Sequence, residues 1–427
     1  MCVGNEPSVP GREAIRRITG RMPRRVLTLA LSLAWMMAVS TALASAVPKE
    51  PTSAPSVDTD AVAMQLLDHA FDAASAMPLR PHIKNRSRAQ EPIVYAALEL
   101  DEPRRAERYA AEIANWRRGA AMAEIASYYA KREDLVKARE LLDGAIRISK
   151  AHHLEDWRRD QIRWRIGKAL IWMNEEGEAT NFTRGLVSSE VGKTEIIYVE
   201  KHGLDAFDTV AARLDARIAT NEFDLKRTAL DTYTAIYELL FHESKIREEI
   251  EGKVRAGMSD MPVFIRVGLL QRLAAAAAEH EARDAALGFV GEASEWLGAA
   301  RWRPEHFTPI ASELAVIEHR LNEVDAAHER LEAAMAFYES RRDEMLDIDR
   351  ASAVRPVAQA FAEIGDTDRA EELYLRALDL GLANPNSRPR AVDLAQTCVS
   401  MALHRYEPSS NVMDLLQVAK SQLKAPW

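Results

Sequence analysis

The chain has 427 residues, 47% of them hydrophobic and 28% charged, with a formal net charge of −9. Length and apolar content suffice for a sizeable buried core. The acidic balance argues against a partner recognised through phosphate, whether nucleic acid or an anionic lipid surface.

In chain order, residues 1–46 read as a secretory signal peptide. Arg12, Arg16, Arg17, Arg21, Arg24 and Arg25 precede an uncharged stretch over residues 26–41, and Ala42, Leu43, Ala44, Ser45 and Ala46 offer an Ala-x-Ala cleavage site. The apolar run is shorter than the roughly 20 residues that a membrane-spanning helix needs, and no later segment is uniformly apolar. Cleavage after Ala46 and a periplasmic or secreted location are the expectation, with no integral membrane span after cleavage. The segment carries six Arg and two Glu, a net of +4, so the remainder stands at −13. Cys2 leaves with it, and Cys398 alone cannot form an intramolecular disulfide. Residues 47–59, with Pro48, Pro51 and Pro55, read as a flexible tether.

Beyond the tether, Ala, Leu, Glu and Arg dominate, and most Gly and Pro fall between apolar-periodic segments. This predicts an all-α fold. The only strand-like stretch, Glu195, Ile196, Ile197, Tyr198 and Val199, suggests one short strand or an extended connector. Two hairpins repeat one residue code. Over residues 119–150, Ile125, Ala126 and Tyr129 share one helical face, and Ala138, Leu142 and Ala145 share another, across a short polar turn through Glu133 and Asp134. Over residues 351–384 the matching residues are Val357, Ala358 and Phe361, then Gly365 and Asp366, then Ala370, Tyr374 and Ala377. Weaker copies run through Ile166 and Ala179, through Ala274 and Ala286, and through Ala315 and Ala327. The anchor spacing varies from 32 residues (Ala106 to Ala138) to 43 (Ala327 to Ala370). The region from Gly192 past Gly203 fits poorly. The expected organisation is an N-terminal helical block over residues 60–190, an irregular helical connector over 191–260, and a C-terminal block over 261–427.

The residue code resembles that of the tetratricopeptide repeat family in a divergent form, with Met122 and Val354 where its early tryptophan belongs and Glu133 where its turn glycine belongs. The resemblance implies a helical-hairpin solenoid, a right-handed superhelix whose first helices line a concave groove and bind a peptide or protein partner.

On the helix over residues 157–173, Trp157, Trp164, Lys168 and Trp172 recur at seven- and four-residue spacing, among Arg158, Arg159, Arg163 and Arg165. Aromatic and arginine side chains anchor binding surfaces, which makes the four the candidate peptide-binding patch. The same spacing also suits packing against a neighbouring helix. Catalytic and metal signals are thin: His152, His153, Glu155 and Asp156 lack ligand spacing, His319 and His328 lie nine apart, and no phosphate loop or nucleophile elbow occurs. Glu99, Asp101 and Glu102 beside Pro103 read as a helix start, and Cys398 reads as a buried thiol. The functional expectation is a non-catalytic interaction scaffold without cofactor. The rival is a helical-toroid enzyme acting on cell-envelope polysaccharide, with Trp157, Trp164, Trp172 and Trp302 as sugar platforms. A toroid closes on itself with inward carboxylates, whereas a solenoid leaves one face open.

Overall fold

The computed structural model describes residues 59–427, except residues 152, 153 and 221 and the side chains of residues 188 and 189. The expectations for the leader, its cleavage, Cys2 and most of the tether lie outside the described residues, as do those for His152 and His153. The described chain is all-α: α1 Thr59–Ala76, α2 Leu79–Glu99, α3 Pro103–Glu112, α4 Arg117–Lys131, α5 Leu135–Ser149, α6 Asp156–Trp172, α7 Glu176–Thr183, α8 Ser188–His202, α9 Leu204–Ala219, α10 Phe223–Leu239, α11 Ser244–Met258, α12 Val263–Glu279, α13 Arg283–Ala299, α14 Pro304–Arg320, α15 Val324–Arg341, α16 Asp347–Glu363, α17 Thr367–Leu382, α18 Ser387–Leu403 and α19 Ser410–Ser421. None of these helices is long and apolar enough to cross a membrane.

Even- and odd-numbered helices play different parts. Each even-numbered helix from α2 to α18 packs on the next even one, while odd-numbered helices pack on their even neighbours in sequence. The even helices are accordingly buried on almost every side: α4 buries Gly119, Ala120, Ala121, Ala123, Glu124, Ile125 and Ala126 in succession, whereas α5 exposes Val136 and buries little beyond Ala138, Leu141, Leu142 and Ala145. Small residues set this close approach. A methyl group on Gly192 of α8 would lie 2.6 Å from Thr232 Oγ1 of α10. Gly192 is thus a packing site inside a helix, not the break its residue type suggests, whereas Gly203, at φ +59, does separate two helices.

The turns repeat. Asp101, Glu133, Asn174, Glu281, Asn322, Gly365 and Arg405 all adopt positive φ just after an even-numbered helix. In each case the next N–H reaches back to a carbonyl in the last turn of that helix, as in Asp134 to Tyr129 at 3.1 Å and Asp366 to Phe361 at 2.9 Å. This is the helix-ending motif that favours glycine, supplied with glycine here only at Gly365. Asp134 and Asp366 then cap the following helices by accepting from Lys137 N and Arg369 N.

Alternation of inner and outer helices makes the even ones run in one direction, so that their C-termini share a rim. Lys131 at the end of α4 pairs with Glu200 near the end of α8. Arg320 and Glu363, which end α14 and α16, lie 3.6 Å apart.

Two expectations are corrected. Residues 195–199 are neither strand nor connector, because they lie in α8, with Ile197 and Val199 buried. Residues 191–260 carry the same alternation as the rest: α8 spans the expected boundary at 190/191, and α10 packs on both α8 and α12.

Among the described residues the two ends of the stack meet. α18 packs along α1 as closely as the hairpin partners pack elsewhere, and it also touches α2. α1 thereby serves as outer partner to α18, although the two lie near opposite ends of the described residues. Leu66, Leu67, Ala70, Phe71, Ala73 and Ala74 bury the apolar face of α1. Arg405 meets Asp60 at 2.9 Å, and Lys420 of α19 pairs with Asp72. Exposed ion pairs of this kind add little, so the apolar face carries the closure. Leu67→Ala is expected to cost about 2–5 kcal/mol despite its place near the end of the described chain; urea unfolding checks this, and a change near zero would show that α1 is not part of the cooperative unit.

Candidate functional site

The inner helices carry a polar stripe where packing alone would place apolar residues. On α6 it runs through Gln161, Arg165, Lys168 and Trp172, spaced four, three and four, which is one helical face. Its partners come from both flanking helices. Lys168 Nζ meets Glu124 of α4 at 2.5 Å, and Arg165 Nε lies 3.7 Å from the same carboxylate. Gln161 donates to Glu190 of α8 at 2.7 Å, and Lys193 pairs with Glu190 at 3.1 Å. On the far side of α4, Tyr95 donates to Glu91 at 2.8 Å, and Arg117 binds the other oxygen of that carboxylate. One chain of charges therefore crosses α2, α4, α6 and α8.

Burial makes these pairings compulsory. Glu91, Glu124, Arg165, Lys168 and Glu190 are all buried, and an unpaired charge there would cost several kcal/mol (about 3–5 when one partner of a buried pair is removed). Burial opposes ionisation of Glu124, but Lys168 and Arg165 outweigh it and hold that carboxyl below its usual range. Burial, with Arg165 close by, holds Lys193 below the usual ammonium range.

The four predicted site residues do not form one exposed face. Trp164 is completely buried, with Arg165 4.5 Å and Lys193 5.0 Å from its ring. Lys168 is held by Glu124. Trp157 and Trp172 sit at opposite ends of α6. Trp157 is 50% exposed, while Trp172 is partly covered by Lys131, whose Nζ lies 5.0 Å from the ring. Trp302 is buried, its Nε1 donating to Leu297 O at 2.8 Å, so it offers no open platform. The flanking arginines also separate: Arg163 bridges Asp160 and the carbonyl of Arg184, whereas Arg165 points inward. Glu91, Tyr95, Glu124, Glu190 and Lys193 escaped the sequence reading. The available signal was an ionisable residue amid unbroken apolar runs, such as Glu124 between Ala123 and Ile125.

Where the even helices end, two carboxyls have unusual surroundings. Burial pushes Glu99 up to about 7, with partial relief from His404. His404 bridges toward Glu363 at 3.0 Å, and its Nδ1 lies 2.7 Å from Ser400 O. Burial disfavours its charge, but Glu363 and that carbonyl outweigh burial and raise its pKa. Burial, with Glu279 and Glu200 nearby, pushes Glu238 up to about 7. Among the described residues no group of three or more His, Cys, Asp or Glu side chains is placed to hold a metal ion. Cys398 is buried, which pushes its thiol up to about 12 and makes it inert toward electrophiles at neutral pH.

No protein-family model matches this chain, and no curated protein matches it.

Two measurements follow. Lys168→Met leaves Glu124 with the more distant Arg165 and Lys193 and is expected to cost about 3 kcal/mol, with Lys168→Met/Glu124→Leu recovering part of the loss; independent, additive costs in chemical denaturation would refute the coupling. For Glu99 the folded pKa lies above the unfolded one. Its contribution is therefore fully present below about pH 4.5 and lost as pH rises through about 7. Glu99→Gln should flatten the stability profile between those values and be the more stable protein at pH 8, by up to about 3 kcal/mol. Parallel profiles for the two proteins would contradict this placement of Glu99.

Proposed function

We propose that this protein is an exported, non-catalytic interaction scaffold, a divergent tetratricopeptide-like stack of helical hairpins that grips a peptide or protein partner along its inner helices. The observation that supports the reading best is the polar stripe of α6 and its partners on α2, α4 and α8. Buried pairing among these side chains fixes which inner helix faces which, and so makes a rigid wall on which accessible residues at its edges can meet a partner without covalent chemistry. Burial of Trp164 and Lys168 shifts the weight of the expected patch onto its two accessible ends, Trp157 and Trp172.

The rival reading, a helical-toroid enzyme on cell-envelope polysaccharide, gains one specific point of support. The first helix of the described residues packs on α18, and Glu99 and Glu238 are carboxyls raised into the range of a general acid. Burial of Trp302 and Trp164 counts against it, since sugar stacking needs open faces.

The discriminating experiment is affinity capture from envelope extract with the chain lacking residues 1–46, run beside Trp172→Ala, together with assays of bond cleavage on envelope polysaccharide. A stoichiometric protein captured by the wild type and weakened by the variant, with no cleavage, is the expected outcome. Cleavage abolished by Glu99→Gln or Glu238→Gln would replace the scaffold with the enzyme.

A further inference from the structure

The rim of helix N-termini opposite Glu99 and Glu238 has a distinct character over α2, α4 and α6. Neither α2 nor α4 has an acidic residue in its first turn. Arg80, Lys84 and Arg88 instead occupy the N-terminal half of α2, and Arg117 and Arg118 begin α4. Arg80, Lys84, Arg88 and Arg118 are all exposed, and none pairs with a carboxylate among the described residues. Arg117 and Arg118 in the first turn of α4 oppose the helix dipole, so intrinsic helix stability does not account for them.

Two tryptophans join this rim. Trp116, just before α4, meets Trp157 at the start of α6 edge to face, with ring centroids 5.6 Å apart. Arg117 lies 4.7 Å from the Trp116 ring, and Arg158 lies 5.1 Å from that of Trp157. Contact between Arg117 and Glu91 ties this pair to α2 one turn beyond Arg88. Exposed cations of α2 and α4 thus share a rim with a half-open indole pair on α4 and α6, where Glu155 accepts from Trp157 Nε1 at 2.6 Å and Asp156 pairs with Arg159 at 2.8 Å.

We propose that this rim docks a short acidic polypeptide segment, its carboxylates meeting Arg88 and Arg118 and an apolar side chain lying on Trp157. The proposal rests on the scaffold reading and names the chemistry of its partner. Charge complementarity selects the sign, and the exposed indole selects a segment that also carries an apolar anchor. The acidic remainder of the protein disfavours a uniformly charged polyanion or an anionic bilayer, which would extend past the rim, whereas screening over about 8 Å lets a short segment sense the rim alone.

The test is fluorescence anisotropy with the chain lacking residues 1–46 and a short labelled peptide alternating Glu with Leu and Phe. The same peptide with Lys for Glu, heparin and phosphatidylglycerol vesicles serve as competitors. The acidic peptide is expected to bind with an affinity that falls as salt rises. Arg88→Glu/Arg118→Glu should weaken it at least about tenfold and Trp157→Ala several-fold, with unchanged thermal melting, while Arg301→Glu, exposed elsewhere, should leave it intact. Equal binding of the lysine peptide, indifference to the double substitution, or binding of heparin or vesicles in place of the peptide would overturn the proposal. Capture of a partner that survives Arg88→Glu/Arg118→Glu would sink the rim while sparing the scaffold, and cleavage of polysaccharide would sink the scaffold itself.

Discussion

Docking of α1 against α18 is the contact on which the rest of the arrangement depends. Every other hairpin is made by neighbours in sequence, which short turns hold together. This one joins segments at opposite ends of the described chain, so its loop-closure entropy must be met by buried apolar surface. Leu66, Leu67, Ala70 and Phe71 supply that surface. With α1 in place, α18 is covered on its outer side like every other inner helix, and α2 gains a neighbour on each side. Without it, the apolar faces of α2 and α18 would both meet water, the position of an uncapped terminal repeat.

Closure also explains why the inner helices can hold so much charge. The middle of an inner helix is flanked by two others and backed by an outer helix, so polar groups there, Glu124, Arg165 and Lys168 among them, are removed from water. Glu124, Arg165 and Lys168 survive this because α4 and α6 run in the same direction and keep the three groups level. Such pairs add little stability compared with apolar replacements, and their better-attested value is to fix which helix faces which. The same geometry concentrates unlike features at the two rims. Carboxyls raised by burial, Glu99 and, with Glu279 and Glu200 nearby, Glu238, gather where the helices end, and unpaired cations gather where α2 and α4 begin.

The scaffold and the toroid enzyme make different demands on these rims. A scaffold needs accessible anchors and rigid walls, which Trp157, Trp116 and the paired interior supply. An enzyme needs a raised carboxyl that a substrate can reach, and Glu99 is buried beside His404 where α2 meets α18.

Much of this was legible in the residues alone. The three- and four-residue spacing of Ala126, Ala138, Ala145, Ala358, Ala370 and Ala377 determined helices and their small-residue contact faces, because that period is set by the backbone and each face needs only its neighbour. All six are completely buried. The same local logic marked the turns through Glu133 and Asp134 and through Gly365 and Asp366, whereas the capping by both aspartates came from the structure. Only the tertiary structure could decide which face of α6 meets water, since Trp164 and Trp157 differ in burial through the presence of α8 and not through anything on α6. It also decided that residues 191–260 continue the stack, because Gly192 reads as a break until α10 lies against it. Above all it decided that the ends meet: the apolar face of α1 announces that something covers it, but which of eighteen other helices does so depends on curvature accumulated over the whole stack.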